Sequence, residues 1–340
     1  VTSLNSVLRN RSQKWLGLLA GIIIVVLFAG ISISVGVTKI PLSKVVESFM
    51  EYNGSNEHLI IRTTRVPRAL IAVVVGASLS IAGAVMQALT RNPLASPATL
   101  GVNAGASLFI VSAVSFFSIT SLTSLMAIGF AGAAVASFTV YFLGSVGREG
   151  LTPIKLTLAG AAIAALFSSL TQGLLVMNEK GLDEVMFWLT GSVEGRKLEM
   201  VQPVFPYVMF GWVLALLLAG KINVLTMGED VAKGLGQRTG WTKLMGALVV
   251  ILLAGGSVAI AGPIVFVGLV VPHVARTLVG IDHRWLLPYC GVLGALFLLA
   301  ADIGGRFIMN EQEIPVGVMT AIIGTPFFIY IARRKVSERA

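Results

Sequence analysis

Apolar runs about 20 residues long, separated by short polar breaks, dominate this chain from end to end. Such a run is what a helix needs to cross the hydrocarbon core of a bilayer. The pattern predicts spans at 15–35, 66–89, 94–117, 121–143, 153–176, 201–219, 242–261, 263–280 and 285–306, with a tenth after residue 316. The first run exceeds the apolar core of a signal peptide, so it reads as a retained helix. Between the spans, residues 37–64 read as a loop with a short amphipathic helix from Pro41 to Tyr52. LDEVMFWLTGS, residues 182–192, reads as a surface helix with Trp188 at the interface. The expected fold is an all-α integral membrane protein of about ten transmembrane helices, forming one domain over residues 1–340.

Prolines punctuate two regions. RNPLASP breaks the chain at Pro93 and Pro97, and a second break falls at Pro263, with Pro272 interrupting the eighth span. Paired breaks in the two halves are the pattern that internal repeats leave. Gly101, Ala104, Gly105 and Ala106 open the third span with a small-residue face that lets helices approach closely in lipid. The loop at 221–241, KINVLTMGEDVAKGLGQRTGW, is too polar for lipid. It still has the order of a helix, with Glu229 and Asp230 near its start and Gly234 and Gly236 near its stop.

A composition of 56% hydrophobic and 12% charged residues excludes an ordinary soluble domain. The net charge of +9 is unevenly spread. With the N-terminus inside, the inner segments hold 16 Lys and Arg against 5 Asp and Glu, and the outer segments 9 against 11. That asymmetry is the positive-inside signal rather than a nucleic-acid footprint, and it places both termini in the cytoplasm. The single cysteine, Cys290, lies in a span and reads as a small buried hydrophobe.

A few polar residues need an explanation. Asp302 and Arg306, four apart, share a helix face as a charge pair. Arg65, Arg68 and Arg306 fall at outer helix ends, where topology does not favour positive charge; they read as a docking surface for acidic groups or as snorkelling anchors. Gln87 and Asn103 suit either a pathway lining or hydrogen bonds between helices. His273, with Arg276 three residues on, reads as structural. The sequence has no G-x-x-x-x-G-K-[ST] phosphate loop, no H-E-x-x-H and no G-x-S-x-G, so an enzyme is hard to build from it.

Several blocks in order then carry a resemblance. They are R-x-P-R at 65–68, Q-A-L-T-R-N-P-L-A-S-P at 87–97, L-G-V-N-A-G-A at 100–106, L-A-G at 158–160 and W-L-T-G-S at 188–192. G-E-D-V-A-K-G-L-G at 228–236, G-P-I-V-F-V-G-L-V-V-P-H-V-A-R at 262–276, A-D-I-G-G-R at 301–306 and E-I-P-V-G-V-M-T at 313–320 follow. In this order the chain resembles the permease subunits of ABC importers for iron–siderophores, haem and vitamin B12. The resemblance implies a type II importer permease fold in a bacterial cytoplasmic membrane. It implies a second permease, like or unlike this one, with the path between the two. Two cytoplasmic ATPase subunits would hold ATP and magnesium, leaving this chain without a cofactor, and an external binding protein would deliver substrate.

Ferric siderophore is the expected substrate, with haem and vitamin B12 as alternatives. The 221–241 loop is expected to meet the ATPase, with Gly228, Glu229, Asp230, Lys233, Gly234 and Gly236 as the coupling residues. In relatives the arginines matching Arg65, Arg68 and Arg306 receive acidic residues of the binding protein. The gate is expected near the start of the fifth span, LTPIK, where Thr152 is the nearest hydroxyl. The rival class is a secondary transporter driven by an ion gradient, which would need intramembrane acids for coupling.

Overall fold

The computed structural model describes residues 6–36, 40–147, 151–177, 188–308 and 313–337. Among these residues there is no strand. In chain order the helices are α1 (Arg11–Ser34), α2 (Leu42–Met50), α3 (Asn56–Thr90), α4 (Val102–Phe117), α5 (Leu122–Ser145) and α6 (Pro153–Met177). They continue with α7 (Phe205–Thr226), α8 (Glu229–Gly234), α9 (Thr239–Ala261), α10 (Val267–Val279), α11 (His283–Ile308) and α12 (Val316–Ser337). Seven are long and apolar enough to cross a membrane, and α4, α10 and the Val316–Ile331 part of α12 are shorter apolar helices. The expected ten spans therefore all have a helix.

The boundaries differ in ways that local chemistry explains. The third span begins at Val102 rather than 94, because RNPLASP folds as a turn. Arg91 takes a left-handed conformation, the Asn92 side chain accepts from the Leu94 N–H at 3.0 Å, and Pro97–Leu100 form one 3-10 turn. The helix before the polar loop runs on to Thr226 because Ile222 and Leu225 are buried, which shortens the loop to 227–238. Two π turns, Ile61–Arg65 in α3 and Ile251–Gly255 in α9, insert extra residues into long helices.

Pro272 does not interrupt α10, contrary to the sequence pattern. A proline within a helix leaves the carbonyl four residues earlier without its donor. Here that carbonyl belongs to Gly268, and the Gln87 Nε2 donates to it at 3.3 Å from α3. The same helices touch backbone to backbone at Gly83 and Gly268, where a Cβ on Gly83 would overlap the Gly268 carbonyl. Gln87 thus completes a helix crossing.

α3 is the central rod, buried over most of its length, and α11 packs against it. Gly76 and Gly294 let their backbones meet. At 1.5 Å per residue, α11 and the Val66–Thr90 stretch of α3 each run about 37–39 Å, enough to join the two ends of the bundle. One end, here the arginine end, carries Arg65, Arg68 and Arg306; the other, the loop end, carries α8. Trp188 is buried in the main core rather than at an interface, 3% exposed. Most of the surface helix expected over 182–192 lies outside the described residues.

Candidate functional sites at the two ends of the bundle

The last carbonyls of α1 have no partner within their own helix. Two arginines supply donors for them. Arg65 Nη1 donates to the carbonyls of Ile33 and Ser34, both at 2.8 Å. Arg306 Nη1 donates to those of Ser32 at 2.7 Å and Val35 at 2.6 Å, and its Nη2 to the Ser32 hydroxyl at 3.0 Å. Positive charge at a helix C-terminus also complements the helix dipole.

Asp302 sits beneath this cap, 2% exposed. Arg68 Nε and Nη2 reach its Oδ1 at 3.0 and 2.8 Å, and Arg306 closes on Oδ2 from one turn along α11. The third nitrogen of Arg68, Nη1, pairs with Glu313. Nearby, the Glu194 carboxyl is pushed up by burial and then by the negative charge of Glu313. The three arginines singled out in the sequence are thus brought together, and Asp302 and Arg306 are in contact. In this conformation they turn inward. Arg65 and Arg68 are buried, Arg306 is largely so, and carbonyls and carboxylates accept from each of them.

At the loop end Gly228, with φ 135°, turns the chain into α8, and Gly236, with φ 76°, turns it out. Glu229 faces inward. Its Oε2 accepts from Lys243 Nζ at 2.7 Å, and Oε1 lies 3.4 Å from both Lys233 and the Thr239 hydroxyl. Lys243 also donates to the Leu151 carbonyl at 2.8 Å. The Lys243 ammonium holds the Glu229 carboxyl below the ordinary carboxylate range. Glu229 therefore straps α8 to the bundle, whereas Asp230 and Lys233 are exposed. Gly234 closes α8 with open space around it.

Apolar residues are exposed beside Asp230 and Lys233. Met227, just before the Gly228 turn, Val231 on α8 and Leu235 at its C-cap are 68%, 46% and 67% exposed. The sequence reading weighed only the charges and glycines of this loop. Large apolar residues within a stretch too polar for lipid were the signal that could have found them.

The remaining pathway residues do not converge. Gln87 is buried in the α3–α10 crossing, Asn103 lies half-buried on the first turn of α4, and the Thr152 hydroxyl accepts from the Lys155 N–H at 3.3 Å as the N-cap of α6. None of them lines a described cavity. A cleft of about 340 Å³ beside the start of α6 is lined by Thr90, Asn92, Pro153, Ile154, Thr157 and Leu158. A larger apolar cavity of about 830 Å³ opens between α4 and α6 at the arginine end, with Phe116, Phe117 and Leu170 in its wall. His273 stands edge-on to Phe327 at 5.9 Å, and Cys290 is buried.

A bundle built around a buried central rod, with exposed apolar residues around a short helix at one end and an arginine–carboxylate cluster at the other, matches known proteins over nearly its whole length. The model of the FecCD transport family matches residues 22–334. The chain belongs to this family. It is 56% identical to the "Probable siderophore transport system permease protein YfiZ" of Bacillus subtilis (strain 168), over 96% of this chain and 98% of that protein. It is 43% identical to the ferric enterobactin transport system permease protein FepD of Escherichia coli (strain K12), over 92% and 94%. A solved metal-chelate type ABC transporter in an inward-facing conformation superposes with a TM-score of 0.81 at 29% identity, covering 93% of this chain and 98% of its own. The FecCD assignment makes this chain a multi-pass membrane permease of the ABC type for iron complexes.

Proposed function

We propose that this permease imports ferric siderophores by ATP-driven alternating access, working with a second permease, two ATPase subunits and an external binding protein. The observation that carries the reading is the exposed apolar group Met227, Val231 and Leu235 on and around a helix that Glu229 ties to the bundle. Exposed apolar residues on a polar loop suit insertion into a partner's groove. The chain has no phosphate-binding loop of its own, so the ATPase is a separate subunit.

Sidedness follows from charge. Arg91, Lys221, Lys233, Arg238 and Arg284 lie at or near the loop end, which the positive-inside rule assigns to the cytoplasm. Both termini then lie on that side, and the binding protein meets the arginine end. Transport requires the ATPase state to change the relative stability of the outward- and inward-open forms, which only differential contacts can do.

The test is uptake of radiolabelled iron into proteoliposomes holding the assembled importer, offered as ferric citrate, a ferric hydroxamate and a ferric catecholate. Uptake of at least one, dependent on both ATP inside and the loaded binding protein, is expected. Uptake by the permease alone under an ion gradient would instead establish the secondary transporter.

A further inference from the structure

We infer that Asn223 is a positioning residue that fastens the base of the ATPase-facing loop to α11, so that α3 and α11 carry the loop's movement as one body to the arginine cluster. The inference rests on the reading of residues 227–238 as the ATPase contact.

Asn223 lies one turn before the loop, on α7. Its Nδ2 donates to Asp282 Oδ1 at 2.6 Å. A carboxylate only accepts, which fixes the orientation of the amide. Its Oδ1 therefore accepts, from the His283 N–H at 2.8 Å and from His283 Nδ1 at 2.8 Å. One side chain thus holds the first residue of α11 and the residue before it. Asp282 also accepts from the Arg284 N–H at 3.0 Å. Partial burial opposes its charge, but this N–H and the Asn223 amide prevail and keep its carboxyl below the ordinary range.

A second tie lies beside the first. Arg91, just beyond the end of α3, donates from Nη2 to the Leu225 carbonyl at 3.2 Å, two residues along α7 from Asn223. α3 and α11 are therefore each fastened to the last turns before the loop. At their far ends, Arg68 of α3 grips Asp302 of α11. Between these points the two backbones touch at Gly76 and Gly294, which leaves little room for sliding. A displacement of the loop base is passed along a closed frame rather than absorbed by a flexible joint.

The experiment uses the complete importer in nanodiscs, with ATP hydrolysis measured with and without loaded binding protein, alongside uptake in proteoliposomes. Asn223→Ala should leave assembly and unstimulated hydrolysis intact while stimulation and uptake fall about tenfold, the size of an ordinary coupling between sites. Asn223→Asp keeps an acceptor for the two His283 N–H groups but sets a second carboxylate against Asp282, so stimulation and uptake should fall in it as well. Unchanged stimulation and uptake in Asn223→Ala would overturn the inference. So would failure of both Asn223→Ala and Asp282→Ala to assemble, which would assign the network to folding alone. A wild-type chain that recruits no ATPase would instead refute the reading beneath it.

Discussion

At the arginine end, Arg65, Arg68, Arg306, Asp302 and Glu313 are gathered on one another and on the last carbonyls of α1, so that charge is consumed inside the fold. At the loop end the pair of Glu229 with Lys243 holds α8 down, and Met227, Val231 and Leu235 are left facing outward. The difference lies in what each end has left to offer a partner. Burial and pairing make the first a structural clamp in this conformation. The second keeps uncovered apolar surface, which gains free energy only when something covers it. Similar residue types therefore do different work: a glutamate at the loop end holds down a helix with exposed apolar neighbours, and an aspartate at the arginine end neutralises two buried cations.

The contrast breaks most violently at Asp302. Asp302→Ala leaves Arg68 and Arg306 without their shared carboxylate, and removing one partner of a buried ion pair costs about 3–5 kcal/mol. A large drop in the thermal midpoint of the detergent-purified chain is expected. If these arginines served only an external partner, stability would be unchanged and binding-protein affinity alone would fall.

A smaller effect is expected at Glu229. Glu229→Gln removes the charge that meets Lys243, and should loosen the loop while the bundle keeps its midpoint; limited proteolysis within 227–238 would report it. The same tie depends on pH. Because the folded carboxyl titrates below the ordinary value of 4.5, its contribution is complete above that value and is lost as pH falls through the lower, folded one. Loop protection should decline only in acid below about pH 4.5, and in the Gln variant it should already be low and insensitive to pH.

The ten helices were legible because apolar runs of spanning length have few alternatives, and the clamp was legible in part. Asp302 and Arg306 share a face by spacing alone. Their meeting with Arg68 and Glu313 was not, because it joins residues more than two hundred positions apart. Gln87 shows the limit most clearly. A polar residue in a span suits a pathway lining or a bond between helices until the fold reveals that Pro272 has left the Gly268 carbonyl without a donor. In the loop the charges drew attention, and the exposure of Met227, Val231 and Leu235 was not legible until the fold showed which residues the bundle covers.

The most direct test of the account is co-purification of the ATPase with the wild-type permease and with Met227→Glu, Val231→Glu, Leu235→Glu combined, alongside each chain's thermal midpoint. Exposed substitutions away from strained or buried features change stability by about 0.5 kcal/mol or less apiece, so the variant should melt close to wild type. The account predicts that it nonetheless loses the ATPase and all ATP-dependent uptake. A variant that keeps a full complement of ATPase and transports normally would contradict the proposal that these three residues meet the ATPase.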